Sequence, residues 1–127
     1  MKKVLMILTA LVVSVLLLAG CGSKGISVHV KLTGQNDVVL YDKDVQVTAN
    51  PAYAIHATEA ALKDGKIEYK SDNGFITSIA GADSTQTDGW LMLYNDTLAQ
   101  LGANEQPIAA GDKIEWKYLN YDKAFAQ

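Results

Sequence analysis

The stretch Ile26–Thr33, ISVHVKLT, decides the class of fold. Its apolar residues, Ile26, Val28, Val30 and Leu32, occupy every second position, and polar residues fill the positions between them. Alternation with a period of two is typical of an antiparallel strand with one buried and one solvated face. We therefore expect a domain built on a sheet that keeps one polar face.

The same signal recurs along the chain. Ile114, Trp116 and Tyr118 alternate with charged residues and predict a final strand. The run at 90–94, WLMLY, is apolar throughout and predicts a central strand that is covered on both faces. Shorter strands are predicted at 38–41, 45–47, 67–70, 75–79 and 107–108. Turns are predicted at 34–37, 42–44, 71–74, 95–96 and 110–112, and 80–89 is predicted to be a polar loop.

One short helix is predicted at 58–64. Thr58 suits the N-cap, Glu59 suits the first turn, and the alanines and Leu62 that follow are strong helix formers. Gly65 would then take the left-handed position that ends the helix. Strands with one short helix indicate a small α+β domain.

The first 21 residues indicate where the protein resides. Lys2 and Lys3 precede an apolar run at 4–19, and the sequence Leu18-Ala19-Gly20-Cys21 contains the single cysteine of the chain. This arrangement resembles the lipobox of bacterial lipoproteins. The resemblance implies cleavage before Cys21 and a diacylglycerol on its sulfur, which places the protein on the extracytoplasmic face of the cell membrane. The alternative is an uncleaved helix, although 16 apolar residues fall short of the ~20 that span a bilayer.

The charge of the chain excludes a nucleic-acid partner. All 11 basic residues are lysines, and without Lys2 and Lys3 nine of them face 14 acidic residues, a net charge of −5. Binding to a phosphate backbone needs clustered positive charge. Arginine, which supplies the bidentate clamp for phosphate or carboxylate, does not occur in the sequence.

Four segments in order resemble a known family. They are 57–62 (ATEAAL), 75–81 (FITSIAG), the strand from Asp88-Gly89-Trp90 to Tyr94-Asn95-Asp96, and 111–116 (GDKIEW). Their order and spacing are similar to the DUF4430 domain, also called the transcobalamin-like C-terminal domain. The sequence departs from the pattern of that family at Ala80, at Asp96 and at 91–93.

The resemblance implies a small β-grasp-like domain, in which a mixed or antiparallel sheet of about five to seven strands packs against one helix. The expected organisation is a lipoprotein signal peptide at 1–20, a lipidated cysteine with a short tether at 21–25, the domain at 26–121 and a tail at 122–127. The resemblance also implies similarity to the smaller domain of eukaryotic cobalamin carriers, which closes over the corrin. A corrinoid is therefore a candidate ligand, and no cofactor is expected.

Catalysis and metal binding have little support. His29 lies on the polar face of its predicted strand, and His56 precedes the predicted helix. The separation between these two histidines does not match the spacing of any metal-binding motif. The sequence contains no nucleophile elbow, P-loop or dinucleotide fingerprint. We expect no catalytic residues and no metal site.

The candidate binding residues lie on the strand at 90–94 and just before it. Trp90, Met92 and Tyr94 share one strand face, and Asp88 and Gly89 end the preceding loop. Tryptophan and tyrosine combine an apolar ring with a polar group, which suits a partly solvated binding surface, and the flexible side chain of methionine adapts to irregular ligands. The alternative is that these residues belong to the core. For Trp116 the core is favoured, because its strand alternates and has one buried face.

Two functions are compatible with these observations. The first is a non-catalytic lipoprotein that captures a corrinoid or another flat small molecule and passes it to a membrane importer. The second is a cell-envelope module for protein–protein interaction or adhesion, which would dock through a sheet edge.

Overall fold

A computed structural model describes residues 25–125 of the chain. The predicted signal peptide and Cys21 lie outside the described residues, so lipidation stays a prediction, as do the predicted domain boundaries. The described residues form the following strands and helices: β1 (Ile26–Thr33), β2 (Val39–Val47), α1 (Ala54–Asp64), β3 (Tyr69–Asp72), β4 (Phe75–Ile79), β5 (Ala82–Asp83), β6 (Asp88–Tyr94), β7 (Thr97–Leu98), β8 (Lys113–Asn120) and α2 (Tyr121–Ala124). The predicted α+β class is confirmed.

The strands form two sheets. The larger has the order β2-β1-β8-β6-β7, and the smaller has the order β3-β4-β5. β1 pairs with β2 antiparallel, as its alternation predicts, but it pairs with β8 in parallel. The larger sheet has five strands, within the expected five to seven. Two strands of two residues each were not predicted: β5 lies in the predicted loop at 80–89, and β7 follows the predicted turn at 95–96.

β2 is one strand where the sequence predicted two. Asp42, Lys43 and Asp44 continue the ladder to β1 instead of forming a turn, and Asp44 lies opposite His29. Both aspartates bond to the ring of His29, so charge pairing on the solvated face holds these polar residues in the strand. The prediction of a turn at 42–44 is therefore wrong.

The helix starts four residues earlier than predicted. It begins after Tyr53, whose backbone N–H donates to Nδ1 of His56 at 3.0 Å. Thr58, predicted as the N-cap, instead lies inside the helix and is fully buried. Lys66 takes the left-handed conformation (φ 52°), whereas Gly65 stays helical (φ −79°) with the side chains of Tyr41 and Ile67 packed closely against it.

The core lies between one face of the larger sheet, α1 and β4. Val28, Val30 and Leu32 of β1 are fully buried, and Ala57, Ala61 and Leu62 of α1 belong to the same cluster. β4 adds Ile76 and Ile79. We call the opposite face of the larger sheet the outer face. It carries the residues that lie between the buried positions of each strand, such as His29 and Lys31 in β1.

The other predicted strands, turns and the predicted tail differ less from the structure. Pro107, predicted in an edge strand, makes only an isolated bridge to Tyr53. The turn at Asn73-Gly74 joins β3 to β4, and a short helix, α2, occupies part of the predicted tail. Among residues 25–125, no helix is long and apolar enough to cross a membrane.

Candidate functional site

All five predicted binding residues lie on β6. Trp90 and Met92 face the core and are only 4% and 6% exposed. The indole N–H of Trp90 donates to the carbonyl oxygen of Ala82 at 2.8 Å, and its ring meets the ring of Tyr118 edge-on at a centroid distance of 5.3 Å. Trp90 is therefore held rigidly from two sides.

Tyr94 lies on the same face of β6 but belongs to a different cluster. Its hydroxyl donates to Asp112 at 2.7 Å, and this hydrogen bond raises the pKa of Tyr94. Burial alone would raise the pKa of Asp112, but the N–H of Ala109 and the hydroxyl of Tyr94 lower it below its usual value. These contacts fix the turn that precedes β8, so Tyr94 has a structural partner outside the pocket described below.

Asp88 and Gly89 lie at the opposite end of β6. The carboxylate of Asp88 accepts a hydrogen bond from Oγ1 of Thr87 at 2.6 Å. A side chain at Gly89 would collide with the hydroxyl of Tyr121, so glycine is required there for close packing. The five predicted binding residues thus fall into three places along one strand, and ligand binding by them stays a prediction.

An apolar pocket of about 170 Å³ opens beside β6. Trp90, Met92 and Trp116 form its inner wall, together with Ile76 and Ala103. All five are buried residues of the core cluster. The pocket is therefore an extension of the core that reaches the surface.

Trp116 anchors the inner wall to the helix. Its indole N–H donates to Oγ1 of Thr58 at 2.8 Å, and that hydroxyl donates in turn to the carbonyl oxygen of Ala54 at 2.8 Å. Trp116 is buried, as predicted. Because each polar atom in this series of hydrogen bonds has a partner, the position of Trp116 in the inner wall is fixed.

Exposed apolar side chains surround the mouth of the pocket. Phe75, Leu101 and Phe125 are 69%, 46% and 60% exposed, and all three line the opening. The turn at Gly74 positions Phe75, since Gly74 has φ +80° and packs against Asn104, whose side-chain amide donates to the carbonyl oxygen of Asn73 at 2.9 Å. We call Phe75, Leu101 and Phe125 the apolar rim.

The sequence matches the family model DUF4430, a domain of unknown function, over residues 52–120. This match covers more than half of the 127-residue chain. The chain belongs to the DUF4430 family. No curated protein shows a significant sequence match to it.

Solved structures with the same fold include haptocorrin in complex with Cbi (cobinamide), which superimposes on this DUF4430 domain with a TM-score of 0.62 and 19% identity. The match covers 76% of this chain and 25% of haptocorrin, so the chain spans about a quarter of that protein's length. A protein from Ruminococcus gnavus, described as a candidate metal-binding protein, matches with a TM-score of 0.53 and 12% identity over 75% of this chain and 97% of its own. At these identities the likeness shows a shared fold.

The two histidines of this DUF4430 domain are engaged away from the pocket. His29 lies between Asp42, 2.5 Å from Nε2, and Asp44, 2.7 Å from Nδ1, and hydrogen bonds to Asp44 and Asp42 raise its pKa. His56 accepts the N–H of Tyr53 at the start of α1. Within residues 25–125, no group of three or more His, Cys, Asp and Glu side chains is placed to hold a metal ion.

Sequence reasoning missed the apolar rim. Phe75 was placed in a strand, Leu101 received no role, and Phe125 was placed in a tail. A signal was present, because Leu101 and Phe125 are large apolar residues that lie outside every predicted strand and helix. An apolar residue that no periodic element accounts for is a candidate for a binding surface.

Proposed function

We propose that this DUF4430 domain is a non-catalytic binding module that captures a small molecule with an apolar group. The observation that carries the proposal is the pocket beside β6 with its apolar rim. Large apolar side chains that cluster at the mouth of a concave site are typical of a ligand-binding surface. The non-catalytic role is supported by the engagement of both histidines in structural contacts.

The volume of the pocket limits what can enter it. An engineered cavity of about 150 Å³ holds benzene, so 170 Å³ suits an aromatic ring or a branched aliphatic group. A corrinoid is our first candidate ligand, because haptocorrin has the same fold. A molecule of that size would lie across the apolar rim and insert only a peripheral group.

We further propose that lipid on Cys21 holds the domain at the extracytoplasmic face of the cell membrane. In the sequence, four residues, 22–25, separate Cys21 from Ile26. Along the ladder, Leu32 lies opposite Trp116, and Trp116 lies opposite Met92. The pocket is thus level with Leu32, about 20 Å along β1 from the tethered end at ~3.3 Å per residue. This distance would leave the apolar rim clear of the bilayer, where a ligand or an importer could reach it.

Ligand capture is tested by calorimetric titration of the full chain in detergent micelles with cobinamide. We expect saturable binding that Leu101→Gln weakens about fourfold, the effect of losing roughly one buried methylene. Val39→Gln is the matched control, since Val39 is about equally exposed but does not line the pocket. Absence of a saturable signal at high micromolar cobinamide would refute a corrinoid ligand.

Anchoring is tested separately by mass spectrometry of the protein purified from its native membrane. The proposal requires a chain that starts at Cys21 and carries acyl groups. An intact leader with an unmodified thiol would refute it.

A cell-envelope docking function is the second candidate. β2 is an outer strand of the larger sheet over nine residues, and Val39, with the neighbouring Val38, is more than half exposed. A partner protein could add a strand at this edge. Crosslinking in intact cells would favour this function if it yields one stoichiometric partner, and Val39→Lys should then abolish the product.

A further inference from the structure

The pocket beside β6 extends around the edge of that strand. Trp90 and Met92 line it from the core face, and Leu91, whose side chain points to the outer face, lines it as well. Leu98 of β7 also lines the pocket and lies opposite Leu93, so these two leucines share the outer face. The cavity therefore reaches round the strand edge, from the core face of the larger sheet towards its outer face.

A second cavity continues from this edge along the outer face. It is a groove of about 640 Å³, which we call the outer groove. Leu98 and Phe125 line both cavities, so the pocket and the outer groove meet at these two side chains. Leu93 and Leu119 add apolar surface, so an apolar path leads from the pocket into the outer groove. The polar residues that line the outer groove are Asp96, Thr97 and Lys123.

One of the two charges in the outer groove is uncompensated. The carboxylate of Asp96 accepts a hydrogen bond from Nζ of Lys113 at 2.9 Å, so its charge is balanced. Lys123, in contrast, makes no ion pair with any side chain of residues 25–125. An unpaired ammonium group attracts an anion, and this attraction weakens as salt is added. The outer groove thus offers a positive charge next to apolar side chains.

Backbone contacts hold this cation in place. The N–H of Tyr121 donates to the carbonyl oxygen of Thr87 at 2.9 Å, which ties α2 to the loop before β6. The side-chain oxygen of Asn120 accepts the N–H of Lys123 at 3.2 Å. The N–H of Phe125 donates to the carbonyl oxygen of Tyr121 at 3.0 Å. Lys123 is therefore fixed two residues before Phe125, the side chain at which the pocket meets the outer groove.

We infer that the ligand of this DUF4430 domain is a carboxylic acid whose carboxylate is joined to its apolar group by a flexible chain. The apolar group fills the pocket, the chain passes over Leu98 and Phe125, and the carboxylate pairs with Nζ of Lys123. One ammonium group balances the single charge of a carboxylate, whereas a phosphate dianion would keep an uncompensated charge close to Asp96. The inference rests on the proposed binding function, adds the chemical class of the ligand and does not depend on the corrinoid candidate.

The test uses two probes that differ at one end only. Both 5-phenylpentanoate and 5-phenylpentan-1-ol carry a phenyl ring on a five-carbon chain, which ends in a carboxylate or in a neutral hydroxyl. Each is titrated at low salt into the ¹⁵N-labelled full chain in micelles of a nonionic detergent, with toluene as a probe of the pocket alone. Because the probes also partition into the micelles, the affinity of each probe is compared between protein variants under identical conditions.

The expected loss is specific for one lysine and for one probe. Lys123→Gln should weaken 5-phenylpentanoate about two- to fivefold, the usual effect of one exposed ion pair, and should leave the alcohol unchanged. Lys63→Gln is the matched control, because Lys63 is also exposed in the last turn of a helix but lines neither cavity. The backbone amide resonances of Leu119 and Ala124, which line the outer groove but not the pocket, should shift with 5-phenylpentanoate and not with toluene.

The outcomes separate the two proposals. If Lys123→Gln changes the affinities for acid and alcohol equally, or changes neither, the carboxylate inference is overturned and the pocket remains a binding site. The same holds if Lys63→Gln causes an equal loss, or if the Leu119 and Ala124 resonances do not move while the acid binds. The inference also fails if toluene binds and 5-phenylpentanoate does not. If none of the three probes binds, both proposals fail.

Discussion

The two tryptophans of this domain are almost equally buried, yet they lie in different surroundings. Trp116 has a paired strand on each side, and its indole N–H reaches a buried hydroxyl on α1. Trp90 lies one strand further out, at an edge where β7 is too short to cover it. We refer to these surroundings as the closed region and the open region. Both indoles line the pocket beside β6, so the difference teaches that burial of the side chain does not reveal the pairing of the backbone beside it, which is complete at Trp116 and incomplete at Trp90.

The largest expected difference comes from truncating a leucine to alanine, once in the packed core and once on the apolar rim. Leu62→Ala on α1 should cost about 2–5 kcal/mol of unfolding free energy, because Leu62 is fully buried in a packed core. Leu101→Ala on the apolar rim should stay within about 0.5 kcal/mol of the wild type. Urea unfolding of both variants measures the contrast. Equal losses would mean that the rim is part of the core.

The next test removes the hydroxyl that links sheet and helix. Thr58→Val keeps the shape but leaves the indole N–H of Trp116 buried without its acceptor, and should cost about 1–3 kcal/mol. Thr77→Val is the control, because its hydroxyl makes only an exposed 3.3 Å contact to the carbonyl oxygen of Lys70. A Thr58→Val protein as stable as the control would show that the closed region does not depend on this bond.

A third test closes the open region. Ala99→Leu should weaken toluene binding several-fold, while the melting temperature changes little, since Ala99 is only partly buried and its N–H still reaches Met92. Calorimetry with toluene and a thermal melt provide the two measurements. Unchanged affinity would place the ligand outside the pocket beside β6.

The smallest expected effect depends on pH and lies on the outer face. Hydrogen bonds to Asp44 and Asp42 raise the pKa of His29 above 6.5, so this contribution to stability is fully present below pH 6.5 and is lost as pH rises through the folded-state value. The pKa of Asp42 is lowered from 3.8, chiefly by its hydrogen bond to His29, so that part is lost as the solution is acidified below that value.

The measurement compares wild type with His29→Gln in urea at pH 5.5 and pH 8.5. The stability difference between the two proteins should be larger at the lower pH. An equal difference at both values would show that the imidazolium does not form between the two aspartates.

The sequence predicts an element well when the residues that stabilise it are close together in the chain, and poorly when its partners are distant in sequence. The alternation in β1 and β8 predicted their strands, because a sheet with one buried face imposes that period. Asp42 and Asp44 favour a turn by residue type, but in the fold both bond to His29, which lies 13 and 15 positions earlier in the sequence. Thr58 resembled an N-cap, but Trp116, 58 residues later, takes its hydroxyl inside the helix.

By itself, the sequence determined the α+β class and the family, and it indicated β6 as the strand that carries the candidate binding residues, because these depend on local periodicity and on ordered short motifs. It also predicted Cys21 as the lipid site, which stays a prediction. Only the tertiary structure decided that Trp90 and Met92 meet Phe75, Leu101 and Phe125 at one pocket, while Tyr94 turns to Asp112. The reason is that a pocket forms from gaps between elements distant in sequence, and no local pattern records where a neighbouring strand stops short.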